Sequence, residues 1–258
     1  MNINVVSTID KSIEPSLFYP SKKANRPLLV ILHTWSFNRF NQKELFLPYA
    51  TKLDWNLLLP EFRGPNLKTN PRCLEACGSK LAKQDIVDAT NYIINNYSID
   101  TSNIFLFGNS GGGHMALLMA NYTPALFNYI IANCSVTDLV KWRNENPGYK
   151  VHVESCLSGS PNKTNIKNYM YRSPIHQVDN MAKAHLKIIH GRDDKSVPVN
   201  HSIDLYNILH AQYPTSDISL EITDMGHEFD CSYVLNTFIS ITKEKTTFNK
   251  SSFIPITK

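Results

Sequence analysis

The sequence predicts an α/β fold, a mostly parallel sheet flanked by helices on both faces, and three observations carry that prediction. Short apolar runs alternate along the chain with segments of helical spacing, the pattern of strands joined by crossover helices. Several of these runs lack a polar face, as strands covered on both sides require. The chain has 258 residues, 42% of them hydrophobic, enough for one large core, and residues 1–258 read as a single domain.

The elements follow in order. Residues 4–19 hold two β-rich runs around Asp10-Lys11, the pattern of an antiparallel hairpin, although this turn is weaker than Asp-Gly would be. Runs of strand length lie at 28–32, 57–59, 104–107, 129–132, 186–189 and 218–222. Helical spacing occupies 44–53, 79–97, 112–121, 199–213 and 231–243; in the second of these Leu81, Ile86, Ala89 and Ile93 share one side. Residues 141–180 break the alternation. They are rich in Pro, Ser, Asn and Tyr without a clear period, and are expected to run over the edge of the sheet as an excursion or small lid. Residues 246–258 are polar with isolated apolar positions and are expected to form a loosely docked tail.

Composition excludes several classes of function. Lys and Arg number 26 against 22 Asp and Glu, a net charge of +4, and no basic run exceeds Ser21-Lys22-Lys23. Neither nucleic acid nor an anionic membrane surface is implied. The opening "MNINVVSTID" lacks the basic start and apolar core of a signal peptide, and no apolar run is long enough to span a bilayer, so a soluble, cytoplasmic protein is expected. Five cysteines, Cys73, Cys77, Cys134, Cys156 and Cys231, show no C-x-x-C spacing. The odd count favours free thiols over a disulfide framework or a zinc site, with Cys73 and Cys77 the pair to bridge if the chain is exported. No metal or cofactor is expected.

The chemistry centres on "IFLFGNSGGGHMALLMA", residues 104–120, where a strand gives way to a helix. Gly108-Asn109-Ser110-Gly111-Gly112 fits G-x-S-x-G in the strand-turn-helix setting that motif needs. Small neighbours let Ser110 take a strained conformation with its hydroxyl above the sheet, and the helix N-terminus behind it favours a developing negative charge. A phosphate-cradling turn is the alternative, but neither G-x-G-x-x-G nor G-x-x-x-x-G-K is present.

A serine hydroxyl needs a histidine to take its proton, and that histidine needs a carboxylate to fix its tautomer. After the strand at 186–189 comes "HGRDDKSVPV" with Asp193 and Asp194, and after the strand at 218–222 comes "DMGHEF" with His227. Both loops leave carboxyl ends of strands, the edge where open α/β sheets carry their sites. Of the other histidines, His114, His201, His210, His152, His176 and His185 read as surface or packing residues, and His190 as structural. The residues themselves do not separate Asp193 from Asp194.

Together "GNSGGGHMALLMA", "HGRDDKSVPV" and "DMGHEF" resemble the α/β-hydrolase catalytic domain of the prolyl oligopeptidase-like (S9) serine hydrolases, and "PEFRGPN" with "CGSKLAKQDIVDATNYI" is similar to the same group. The resemblance runs over most of the chain from Leu28 onward. In the family pattern H-G-x-x-D-x-x-V-P the acid falls on Asp194. The resemblance also implies an oxyanion hole from the backbone N–H of Gly111 and that of Trp35, in a loop where many relatives have glycine at the position of Thr34. The Trp35 side chain is expected either to wall the substrate pocket or to be a core aromatic at the end of its strand; "EFRGPN" follows the next strand and is expected to bring Phe62 and Arg63 to the rim, against the ordinary reading of a solvated arginine.

What is expected, then, is a serine hydrolase with Ser110 as nucleophile, His227 as base and Asp194 as its orienting acid. Its substrate would be a small-molecule ester or a short peptide. Oligopeptidase relatives carry a large propeller for which this length leaves no room, so an esterase on small or carbohydrate-linked acyl groups is as strongly expected as a peptidase. The rival is a catalytically silent binding module on the same scaffold. A thiol hydrolase fails because no cysteine occupies the elbow.

Overall fold

The computed structural model describes residues 1–242. Its strands are β1 (Asn2–Val6), β2 (Ile13–Tyr19), β3 (Arg26–Leu32), β4 (Asn56–Pro60), β5 (Ile99–Asn109), β6 (Tyr129–Asn133), β7 (Leu186–Gly191) and β8 (Ile218–Thr223). They form one sheet in the order β1-β2-β4-β3-β5-β6-β7-β8. The pairs β1/β2 and β2/β4 are antiparallel, and every pair from β4/β3 to β7/β8 is parallel. The expected N-terminal hairpin is present, with Val6 opposite Ile13.

The helices are α1 (Lys43–Leu53), α2 (Lys80–Asn96), α3 (Gly111–Tyr122), α4 (Leu139–Glu145), α5 (Pro147–Cys156), α6 (Ile166–Tyr171), α7 (Asn200–Gln212) and α8 (Cys231–Ile241). Alternation within β3 shows why its run has no polar face. Leu28, Val30 and Leu32 enter one apolar layer with residues of α2, α3 and α7, while Leu29 and Ile31 enter the other with residues of α1 and α8. All five are fully buried. Burial on both faces is what parallel strands joined by crossover helices produce.

Residues 141–180 are not irregular. They contain most of α4 and all of α5 and α6, and with Trp35 they form a third apolar cluster that includes Val136, Trp142, Val153 and Tyr169. The expected tail at 246–258 lies outside the described residues. All five cysteines are free, Cys73 and Cys77 included. No helix among the described residues is long and apolar enough to cross a membrane.

Candidate active site

β5 runs straight into α3, and Ser110 sits at the junction with φ 57° and ψ −119°. A non-glycine residue with positive φ is strained, and strain at a strand-to-helix turn turns its side chain out above the sheet. Ser110 N donates to Asn133 O at 2.9 Å, tying the turn to the end of β6. The glycines are close-approach positions. A Cβ on Gly108 would lie 2.0 Å from Gly112 O, and one on Gly111 would lie 2.4 Å from Trp35 N. Strand, turn, helix and the loop after β3 pass too near one another for side chains.

β7 and β8 bring two further loops to the same edge. Arg192 N donates to Thr223 O at 2.8 Å and Asp193 N to Met225 O at 3.0 Å, so the loops after these strands are bonded to each other. His227 Nδ1 lies 2.7 Å from Asp194 Oδ2, and His227 Nε2 lies 2.9 Å from Ser110 Oγ. The Asp194 side chain is wholly buried, whereas that of His227 is 31% exposed. Asp194 Oδ1 accepts from the N–H groups of Ser196 and Val197, each at 2.8 Å. His190 Nε2 stands 3.4 Å from Asp194 Oδ2.

Burial would raise the Asp194 carboxyl, but the contacts with His190 and His227 and the Val197 N–H outweigh it and hold the group well below the usual carboxylate range. An ionised carboxylate can only accept, so Nδ1 of His227 carries the proton and donates it to Asp194. Nε2 is left with a lone pair facing the Ser110 hydroxyl. Cys134 is buried beside this pair, and burial first of all pushes its thiol up to about 12, which keeps it protonated.

Next to Ser110 lies a cavity of about 160 Å³ lined by Thr34, Trp35, Ser36, Phe37, Asn109, Tyr149, Ser196 and His227. The backbone of Trp35 passes directly against Gly111, on the side where a Cβ would stand. Thr34 is held through its N–H and hydroxyl by Asn41 Oδ1 at 3.1 and 3.0 Å. A second cavity, about 220 Å³, is lined by Asn133, Met225, Phe229 and residues of β8 and α8, without Ser110.

Phe62 and Arg63 do not reach the rim. Phe62 is buried and stacks on His33 with ring centroids 3.8 Å apart. The Arg63 guanidinium is fully buried, 2.5 Å from Asp85, 2.7 Å from Asp10, 2.7 Å from Glu75 and 3.3 Å from Glu14. Four carboxylates draw this cation inward, whereas a lone arginine after a strand would extend into solvent. Three of the remaining histidines are buried in other places: His114 bonds Arg172 O at 2.7 Å, His201 bonds Thr137 Oγ1 at 3.1 Å, and His190 bonds Val197 O at 2.9 Å and Ser202 Oγ at 2.7 Å.

Three residues around the site went unnoticed in the sequence. Asn133 Nδ2 donates to Asn109 Oδ1 at 2.8 Å and to Glu228 O at 3.3 Å, joining the elbow to the His227 loop. His33 spans from Glu61 O (2.7 Å) to Thr34 O (2.9 Å), fastening the loop that carries Trp35. Tyr149, from α5, lines the cavity. A polar residue closing an otherwise apolar strand was the available signal for Asn133 and His33; Tyr149 had none.

A parallel sheet entered by an antiparallel hairpin, with a strained serine between strand and helix and a histidine and an acid on later loops of the same edge, is an α/β-hydrolase fold. The chain belongs to the prolyl oligopeptidase family of S9 peptidases, whose model matches residues 79–234, more than half of it. The acylamino-acid-releasing enzyme 1 of Oryza sativa subsp. japonica is 24% identical over 193 residues, covering 70% of this chain and 24% of the relative. The inactive dipeptidyl peptidase 10 of Mus musculus is 25% identical over 203 residues, 74% of this chain and 24% of its own length. The chain thus spans about a quarter of the length of these relatives. Among solved structures, a puromycin-hydrolyzing peptidase of Mycobacterium tuberculosis superposes with a TM-score of 0.73 at 14% identity, covering 92% of this chain and 38% of that one. That likeness is one of fold.

Proposed function

We propose that the protein is a serine hydrolase that cleaves a carboxylic ester or a peptide through Ser110, His227 and Asp194. The observation that carries this reading is the unbroken hydrogen-bonded line from Ser110 Oγ to His227 Nε2, at 2.9 Å, and from His227 Nδ1 to Asp194 Oδ2, at 2.7 Å. Ser110 Oγ attacks the acyl carbonyl as His227 Nε2 takes its proton, and the Asp194 carboxylate stabilises the imidazolium that forms. The N–H groups of Gly111 and Trp35 donate to the oxyanion of the tetrahedral intermediate. His227 returns the proton to the leaving alcohol or amine, an acyl-Ser110 intermediate remains, and a water activated by the same imidazole releases the acid.

The names of the family and of the acylamino-acid-releasing relative favour an amide bond. The cavity favours a small acyl group: at about 160 Å³, with no Asp, Glu, Lys or Arg in its lining, it offers no ionic partner for a charged substrate. Short blocked peptides fit both facts, and esters of short acids, carbohydrate-linked ones among them, fit the second. A fluorophosphonate probe is expected to label the wild-type chain and to leave Ser110→Ala unlabelled; label persisting on the variant overturns the proposal. Rates on short p-nitrophenyl esters beside aminoacyl and dipeptidyl amides then assign the bond. A wild-type chain that neither labels nor turns over any of them would be a silent binding module.

A further inference from the structure

Cys134 has no part in the hydrolytic reading, yet its thiol stands beside His227 and the Asp194 that orients it. It follows β6 with φ 46° and is fully buried, its thiol donating to Gly226 O at 3.6 Å, one residue before His227. Backbone sterics at positive φ favour glycine, and a small apolar filler would be served by alanine; only cysteine adds a soft ligand. Cys134, Asp194 and His227 each offer one donor atom, and these atoms all lie within 4.8 Å of one another.

We propose that this trio is an inhibitory site for a thiophilic divalent cation, Zn2+ or Cd2+, bound by Cys134 Sγ, an Asp194 carboxylate oxygen and His227 Nδ1. A sulfur, a nitrogen and a carboxylate oxygen form a donor set that zinc prefers and that magnesium and calcium do not, and three protein ligands leave a fourth position for water. Metal–ligand bonds of about 2.0–2.3 Å set the donors roughly 3–4 Å apart, so Cys134 Sγ must close on the other two from within 4.8 Å, while His227 Nδ1 and Asp194 Oδ2, now 2.7 Å apart, must open to admit the cation in place of their hydrogen bond. His227 supplies the freedom for it, being 31% exposed and directly preceded by Gly226 in the loop between β8 and α8. That exposure also gives the cation its approach.

The bond changes balance. The cation gains bonds to sulfur, oxygen and nitrogen; the Cys134 thiol proton leaves to water; and the imidazole proton moves from Nδ1 to Nε2, because the metal now occupies the Nδ1 lone pair. With a proton on Nε2, the ring cannot accept one from the Ser110 hydroxyl. The inhibition rests on the proposed role of His227 as base, whereas the binding site does not.

Two readouts keep these apart. Zn2+ is titrated against hydrolysis of a short p-nitrophenyl ester by the whole chain, each variant normalised to its own metal-free rate, with Mg2+ and Ca2+ as controls. Zn2+ inhibits the wild type and Cys156→Ala alike, Cys134→Ala needs at least roughly tenfold more, and the hard cations have no effect. Independently of turnover, Cd2+ added to the wild type produces an ultraviolet thiolate-to-cadmium band that is smaller by one thiolate in Cys134→Ala. Cys134→Ser replaces it if the alanine variant does not fold. Equal Zn2+ sensitivity of the wild type and the Cys134 variant, or an unchanged cadmium band, overturns the proposal; a band lost at Cys134 without any inhibition upholds the site and removes His227 as the base.

Discussion

Gly111 and Trp35 meet backbone to backbone, so closely that a Cβ on Gly111 would lie 2.4 Å from Trp35 N and 2.5 Å from Trp35 Cα. The contact holds the start of α3 against the loop after β3, and these are the two residues proposed to supply the oxyanion donors. Gly111→Ala must push that loop away. We expect kcat on a short ester to fall roughly 10²–10³-fold, the usual consequence of losing one such donor. Overpacking strain of roughly 1–3 kcal/mol should also lower the melting temperature. A variant with wild-type kcat would show that the donors are not these amides.

Asp194 predicts the form of acid unfolding. Burial opposes its ionisation, but His190, His227 and the Val197 N–H hold the folded carboxyl below its ordinary value. A carboxyl lowered in the folded state contributes stability above its unfolded value and loses it as pH falls through the folded one. The window therefore opens at about pH 5 and runs downward through the unfolded value of about 3.9. Thermal unfolding followed from pH 6 to pH 3, taken as rough limits, should show the wild type losing stability more steeply than Asp194→Asn. Parallel limbs would mean that the carboxylate is not stabilised by its neighbours.

Arg63 is a matter of stability, not of substrate. Its fully buried guanidinium meets Asp85, which is itself 1% exposed, and also Asp10 from the turn between β1 and β2. Arg63→Met leaves those carboxylates without their cation, which we expect to cost about 3–5 kcal/mol. For a chain of this size that is roughly 6–20 °C in Tm. Activity per folded molecule should be unchanged, because the residue does not line the cavity beside Ser110. A normal Tm with a raised KM would reverse this and return Arg63 to the substrate.

What the sequence disclosed about the fold was local or periodic. The run at 28–32 sends alternate residues into two apolar layers, and that lack of a polar face was visible in the residues themselves. The elbow was visible because its glycines and serine are adjacent in the chain. α4, α5 and α6 escaped notice because they are only 7, 10 and 6 residues long. They are fixed by packing around Trp35 and Trp142, which no local pattern records. Phe62 and Arg63 were misplaced for a related reason. Both have positive φ, 38° and 68°, in a turn that leads them inward, and the carboxylates that hold Arg63 come from four separate segments.

Tyr149 is predicted to set the length of acyl chain that the proposed hydrolase admits. It stands near the start of α5 with its ring 4.8 Å from that of Trp142 and 6.3 Å, edge-on, from that of Trp35, and it lines the space next to Ser110. Trp142, against which Tyr149 packs, is anchored by its indole N–H to Ser196 O at 2.9 Å. Removing the phenol ring should extend a cavity of about 160 Å³ toward the α4–α5 turn without touching Ser110 or His227. In a series of p-nitrophenyl esters of increasing chain length, Tyr149→Ala should move the optimum of kcat/KM to longer acyl groups. Each methylene newly accommodated is worth about 0.8 kcal/mol, roughly fourfold. The shift belongs in KM for the longer esters, since the ring takes no part in proton transfer. An unchanged chain-length profile would mean that the acyl group lies elsewhere, with Phe37 the next wall of the same cavity to truncate.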